Sequence, residues 1–199
     1  MRLESDHFYL RTLTQSDVSE TYLKWLNDPQ INRFLEVRHT PQTLDSLRSF
    51  VSSFDGKSRI FLGLFDKASD RHIGNYNIHW DQRYQTVYYG YLIGERDFWG
   101  AIKSDSAKAP VSAATEATCM VLDFAFEKLE ARKVWGSAYA TNFAAIFNLQ
   151  KFGFTHEGTQ RKQYRDGEKW VDSLLYGIFK EEWLESRTKF KDIERKLIV

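Results

Sequence analysis

Three strand-length runs stand close together in the middle of this chain, and they constrain its fold more than any other feature. Ile60 to Phe65, Ile73 to Trp80 and Thr86 to Ile93 are β-branched and aromatic, and Asp, Lys, Gly and Arg turn signals separate them. They read as an antiparallel meander. The strongest helix follows from Ala113 to Ala131, where Ala117, Met120, Val121, Phe124, Ala125 and Leu129 form a broad apolar stripe.

The flanking segments carry local signals of their own. His7 to Leu13 has strand period, and Thr14-Gln15-Ser16-Asp17 can cap a helix bearing Val18, Tyr22, Trp25 and Leu26. Asn27-Asp28-Pro29 breaks it, because proline disfavours the helical conformation of its predecessor. A second helix is expected from Thr40-Pro41, presenting Leu44, Leu47, Phe50 and Val51. Lys133 to Ala140 reads as a strand, and Asn142 caps a helix that runs to Phe152 and stops at Gly153. Phe154 to Gln163 and Trp170 to Phe179 form a hairpin turning at Arg165-Asp166-Gly167-Glu168. From Lys180 the chain is rich in Lys, Glu and Arg, with Trp183, Leu184, Ile193 and Leu197. That pattern suggests a solvated terminal helix, a dimer contact being the other reading. The expected fold is α/β: one domain over residues 1–185 with a mixed, mostly antiparallel central sheet flanked by helices, and a charged helical extension at 186–199.

Composition narrows the function classes. With 199 residues, 42% of them apolar and 28% charged, the chain can bury a core as one domain. The 28 Lys and Arg against 27 Asp and Glu leave +1, so no basic field exists to hold nucleic acid or an anionic membrane. Cys119 has no partner for an internal disulfide, Met1 to Leu10 lacks a secretory signal pattern, and no run nears the roughly 18 apolar residues of a spanning helix. A cytoplasmic protein is expected. His7, His39, His72, His79 and His156 lack metal-ligand spacing, so no metal is expected, and neither a phosphate loop nor a G-x-S-x-G elbow occurs.

The order of several short segments is more telling than any one of them. Trp25-Leu26-Asn27-Asp28-Pro29, Ile73-Gly74-Asn75, Gly90-Tyr91-Leu92-Ile93-Gly94, Trp99-Gly100, Ala114-Thr115-Glu116-Ala117 and Asn142 through Lys151-Phe152-Gly153-Phe154 follow one another along about residues 7 to 183. In this the chain resembles acyl-CoA-dependent N-acyltransferases of the GNAT superfamily, in the branch similar to ribosomal-protein N-terminal acetyltransferases and aminosugar acetyltransferases.

The resemblance implies a GNAT-like domain that takes acetyl-CoA as cosubstrate and transfers acetyl to a primary amine by direct attack. The acceptor would be a protein N-terminus or an aminosugar nucleotide, and the enzyme a monomer or homodimer. The backbone amides near Leu92 and Ile93 would face the thioester, with the Leu92 amide in a catalytic role. The pyrophosphate would sit at the N-terminus of the long helix, at Ser112, Ala113, Ala114 and Thr115. Asn142 would contact the pantetheine arm.

This chain departs from the family pattern in three places. Where relatives commonly read Trp-Gly-Lys-Gly-Tyr-Ala-Thr-Glu-Ala, about ten extra residues follow Trp99-Gly100, and Ser112 takes the central glycine position. Either the insertion is a tolerated excursion, with Lys103 and Lys108 supplying charge and Ser104, Ser106 and Ser112 hydroxyls, or the cofactor site is remodelled. Leu149 occupies the position of the usual tyrosine acid, Ala145 that of a common serine, and Tyr88 that of a frequent glutamate base. Tyr88 suits an acid more than a base, and His79 has the intrinsic pKa of a base. Glu36 and Arg38 in the loop after the first helix, and Asp81 at the end of the third strand, are candidates for the acceptor side. An opening between Phe34, Leu35 and the third strand can stack a base or sugar. Cys119 falls inside the apolar stripe and is expected to pack as a small hydrophobe. A catalytically silent domain binding a CoA-like or nucleotide ligand, or a partner protein, is the alternative.

Overall fold

A computed structural model describes residues 1–101 and 111–198; Lys103, Ser104, Ser106 and Lys108 lie outside the described residues. The elements are β1 (Arg2–Ser5), β2 (Phe8–Thr12), α1 (Glu20–Asn27), α2 (Leu44–Ser52), β3 (Arg59–Asp66), β4 (His72–Asp81), β5 (Thr86–Ile93), α3 (Ala113–Glu127), β6 (Lys133–Tyr139), α4 (Phe143–Lys151), β7 (Thr155–Asp166), β8 (Lys169–Phe179), α5 (Lys180–Ser186) and β9 (Arg195–Ile198). Among the described residues, one sheet runs in the order β7-β8-β6-β5-β4-β3-β2-β1-β9. Its neighbours are antiparallel except β5 and β6. The central meander β3-β4-β5 is as the sequence indicates.

Strand alternation gives the sheet two apolar faces. Tyr76 and Ile78 of β4, Val87, Tyr89 and Ile93 of β5, and Val134 and Ala138 of β6 join α3 in the larger cluster. The opposite face carries Tyr9, Phe61 and Phe65 against Tyr22, Trp25 and Leu26 of α1 and Leu47 and Val51 of α2. No helix among the described residues is long and apolar enough to cross a membrane.

Helix α3 is buried almost all round, from Ala113 to Phe126, and its polar residues have assigned partners. Glu116 accepts from the Ser5 hydroxyl (2.7 Å) and the His7 amide (3.0 Å). Asp123 accepts from the Trp183 indole (2.9 Å) and from Arg195 Nε (2.6 Å). An apolar stripe marks the sheet-facing side of such a helix and says nothing of a second covered side.

That second cover corrects the expected C-terminal helix. Helix α5 ends at Ser186, Arg187–Phe190 is a 3-10 turn, and β9 then pairs antiparallel with β1, Leu3 opposite Leu197. Phe190 and Ile193 are buried, and β1 offers an edge whose backbone groups need partners. Strand β1 itself is short and goes unmarked in the sequence pattern. At the other corrected boundary, Gln15–Asp17 is a 3-10 turn and α1 is capped by Ser19, whose hydroxyl accepts from the Tyr22 amide. Asp17 instead pairs with Arg11 at 2.6 Å. Two caps stand as read: Asn142 Oδ1 accepts from the Ala145 amide at 3.2 Å, and Gly153 adopts φ +92° after α4.

Candidate active site

The sheet forks between β5 and β6. Their parallel ladder joins Thr86 to Lys133, Val87 to Val134 and Tyr88 to Trp135, and stops there, while β5 continues to Ile93 and β6 to Tyr139. Backbone polar groups beyond the fork lack a strand partner on that side, so they are available to a ligand.

The alternation of antiparallel bonding decides which amides those are. Trp80 N donates to Ser58 O on the β3 side (2.7 Å), and Gly94 N donates to Ile73 O across from β5 (2.8 Å). Odd-numbered β4 residues therefore exchange backbone bonds with β5, pairing Asn75 with Leu92 and Asn77 with Gly90. The amides of Tyr91 and Ile93 face the gap. This corrects the expected role of the Leu92 amide, which is turned into the β4 ladder, while its side chain packs toward α1 and α2. The expected Ile93 amide does face the opening. The Ile93 carbonyl, on the same side, accepts from Trp99 Nε1 at 2.8 Å.

At the N-terminus of α3, Ser112 Oγ accepts from the Thr115 amide at 3.2 Å. The Ser112 carbonyl accepts from Thr115 and Glu116, so Ala113 and Ala114 carry the first two helical amides without an intrahelical acceptor. A bridge between Ala101 and Ser112 closes the base of the insertion. Lys151, at the end of α4, donates to Thr115 Oγ1 at 3.0 Å, and burial lowers its pKa. A cation thus stands at the positive end of α3. The sequence reading placed Lys151 inside a motif but gave it no role, because the contact spans two helices.

Helix α4 also borders the opening from the α3 side. Asn148 Nδ2 donates to the Tyr91 hydroxyl at 3.1 Å, and the Tyr91 ring stacks on Tyr76 with centroids 5.1 Å apart. Leu149 is buried in the core and offers no proton. Asn142 is occupied as the α4 cap through Oδ1.

The other side of the sheet carries the polar side chains expected to act on an acceptor. Tyr88 and His79 are register partners on β5 and β4, with ring centroids 5.9 Å apart, and Trp135 lies 4.8 Å from Tyr88. A Cβ on Gly90 would stand 3.6 Å from the Tyr88 hydroxyl, so the bare glycine leaves that hydroxyl room beside the fork. Burial raises the Tyr88 pKa, Tyr164 adds to it, and Ser137 opposes it, so Tyr88 holds its proton at neutral pH. Burial lowers the His79 pKa, helped by the charge of Arg59, so its imidazole is neutral there. Asn77 Oδ1 and Ser173 Oγ are buried without a hydrogen-bond partner among the described residues.

Glu36 and Arg38 meet β6 at Tyr139. The Tyr139 hydroxyl donates to Glu36 in a short bond, Arg38 reaches the same hydroxyl at 3.4 Å, and Tyr164 stacks on Tyr139 at 4.1 Å. Phe34, expected to face the third strand, Ile73 to Trp80, packs edge-on against Tyr139 of β6 at 5.6 Å. Asp81 is not brought to this face. Its Oδ1 accepts from the amides of Arg83 and Tyr84 in the β4-β5 turn, beside a separate hollow that includes Lys57 and Leu129. Cys119 is fully buried, and burial pushes its thiol up to about 12.

Comparison with known proteins bears on the family and the fold. A family model described as an acetyltransferase (GNAT) domain matches residues 7–155. A Bacillus subtilis (strain 168) protein named probable N-acetyltransferase YjcK is 24% identical over 184 residues, covering 88% of this chain and 96% of that protein. Two solved structures share the fold. Spermidine N-acetyltransferase from Vibrio cholerae, in complex with CoA and spermine, superposes with a TM-score of 0.73 at 16% identity, covering 89% of this chain and 98% of that one. RimJ from Mycobacterium smegmatis, in complex with CoA-disulfide, gives 0.75 at 16% identity, covering 98% and 96%.

Proposed function

Since the chain belongs to the GNAT family of acetyltransferases, we propose that it joins acetyl-CoA and a primary amine in one ternary complex and transfers acetyl by direct attack. The observation that carries this reading is the fork: a parallel ladder that ends at Tyr88 and Trp135 and leaves the Tyr91 and Ile93 amides facing the opening. Acetyl-CoA supplies the acyl group and a thiolate as leaving group. The gap-facing amides fit its pantetheine arm and thioester oxygen, and the α3 N-terminus with Lys151 fits its pyrophosphate. Ser112 and Thr115 line that helix end, and the Asn142 amide group contributes from α4. A protein N-terminus and an aminosugar nucleotide are both within this reading, as is action in the cytoplasm by a monomer or homodimer.

The chain's own groups divide the proton work across the face opposite α3. Neutral His79 accepts a proton from the incoming ammonium, directly or through water, and leaves a nucleophilic amine. Tyr88 holds a proton at its hydroxyl beside the fork, where the departing sulfur needs one. Glu36, bound to the Tyr139 hydroxyl, borders the acceptor side. Cys119, buried and protonated, takes no part.

Calorimetric titration of the full chain with acetyl-CoA tests the cofactor half, and a thiol-release assay over a panel of amines tests transfer. Micromolar binding with amine-dependent thiol release is expected. No binding up to millimolar acetyl-CoA refutes the proposal, and binding without release from any amine identifies a silent binding domain.

A further inference from the structure

The acceptor side opens into a hollow of about 830 Å³ between the loop after α1 and the tip of the β7-β8 hairpin. Its charge is one-sided: Arg33, Arg38 and Arg165 line it together with His39, and Asp166 is the only carboxylate among its described lining residues. Asp166 pairs with Arg33 at 3.3 Å and with Arg38 at 3.4 Å, and one carboxylate against three guanidiniums leaves positive charge in excess. Arg38 is held from two sides by the carbonyls of Arg33 and Arg165, so its guanidinium is fixed at the floor of the hollow. Arg33 is more than half exposed at the rim, paired with Asp166.

Arg38 ties the hollow to β6. Arg38 reaches the Tyr139 hydroxyl, and Tyr139 follows Ser137 on the same face of β6. With about 3.3 Å of rise per residue, Ser137 and the Tyr88 hydroxyl beside it lie about 7 Å from Tyr139 along the strand. The arginines are thus on the order of 10 Å from the amine position, adding the reach of Arg38 to that rise.

We propose that the acceptor is a primary amine carrying a phosphate-type oxyanion, and that Arg33 and Arg165 seat the oxyanion, with Arg38 adding its charge from the floor of the hollow, while the amine lies at His79 and Tyr88. This rests on the acetyl-transfer reading above. A phosphate ester brings about −1.5 to −2 charges and three acceptor oxygens, which matches guanidinium forks arranged around an open hollow. A single carboxylate would satisfy fewer of those donors, and a polyamine would set its cations against three arginines.

Three measurements on the full chain test the assignment. Glucosamine 6-phosphate is expected to exceed glucosamine in kcat/KM at least tenfold, and spermidine to fall below both. The double variant R33Q/R165Q is expected to cut the phosphorylated-to-neutral ratio at least tenfold with its Tm kept within a few degrees. Equal kcat/KM for the two sugars, a ratio unmoved by R33Q/R165Q, or a stronger arginine dependence for 6-aminohexanoate than for the phosphate overturns the proposal. Inorganic pyrophosphate, titrated calorimetrically in saturating CoA, separates this proposal from the activity on which it rests. Binding that weakens at least tenfold in R33Q/R165Q supports the anion seat even if no amine is acetylated, and binding that is absent or unchanged in the variant refutes it.

Discussion

Replacing Asp123 by alanine tests how the C-terminal segment is held against α3. The Asp123 side chain is only 4% exposed, with Arg195 Nε at 2.6 Å and Arg187 at 3.4 Å, and it also accepts from the fully buried Trp183 indole. The variant leaves the Arg195 guanidinium, itself 10% exposed, without its carboxylate. Breaking a buried pair from one side costs about 3–5 kcal/mol, and an unsatisfied buried donor about 1–3 kcal/mol. These losses share one carboxylate and do not add fully, so the expected cost is about 3–5 kcal/mol. For a chain of this size each kcal/mol lowers Tm by about 2–4 °C, giving a fall of about 6–20 °C. Urea unfolding and a thermal scan measure both. Arg195→Met in the same background is expected to recover part of the loss, because it removes the stranded charge, with a coupling of about 0.5–3 kcal/mol in a double-mutant cycle. A loss below 1 kcal/mol for Asp123→Ala, or strict additivity with Arg195→Met, would refute the view that this carboxylate anchors α5 and β9 on α3.

Four further perturbations address the site and the charge network. His79→Gln is expected to lower kcat/KM about 100-fold, the lower end for a general base. In the wild type the lowered His79 pKa means activity is flat near neutrality and falls as acidity protonates the ring; an acid limb that persists unchanged in the variant rules His79 out as the base. Tyr88→Phe is expected to lower kcat by about 100-fold with little change in acetyl-CoA affinity by calorimetry, and wild-type turnover in that variant would remove Tyr88 as the acid. Cys119→Ala should retain turnover, and a thiol reagent should label the wild type only after unfolding; rapid labelling of the native chain would contradict the buried thiol. Asp17, held at about 2 by Arg11 and the Thr14 groups against a usual 3.8, stabilises the fold above its unfolded pKa. Its advantage over Asp17→Asn should be full above about pH 5 and vanish as pH falls through about 2, and a difference that grows on acidification would contradict the assignment.

Much of the fold was legible because its signals are local. The meander, the Asn142 cap, the Gly153 stop and the turn at Asp166-Gly167 each depend on residues within a few positions of one another, where period and dihedral preference act directly. The segments that carry the resemblance are legible for the same reason, since they sit at strand ends and helix starts. It could not choose between the Leu92 and Ile93 amides. One residue along a strand reverses the direction of the backbone bond, and only the register of β4 against both neighbours fixes it. Asp81 was drawn in by its position near His79, yet its side chain is engaged by the turn it begins.

What the sequence alone determined is therefore the set of elements and their order, with the family that order resembles. The tertiary structure decided where the β5-β6 ladder ends, that Lys151 on α4 meets Thr115 on α3, that three arginines from two distant loops share one hollow, and that the charged C-terminal segment adds β9 to the β1 edge of the sheet. Each joins residues far apart along the chain, and no local period encodes such a pairing. It exists only once burial of both sheet faces has fixed which surfaces meet.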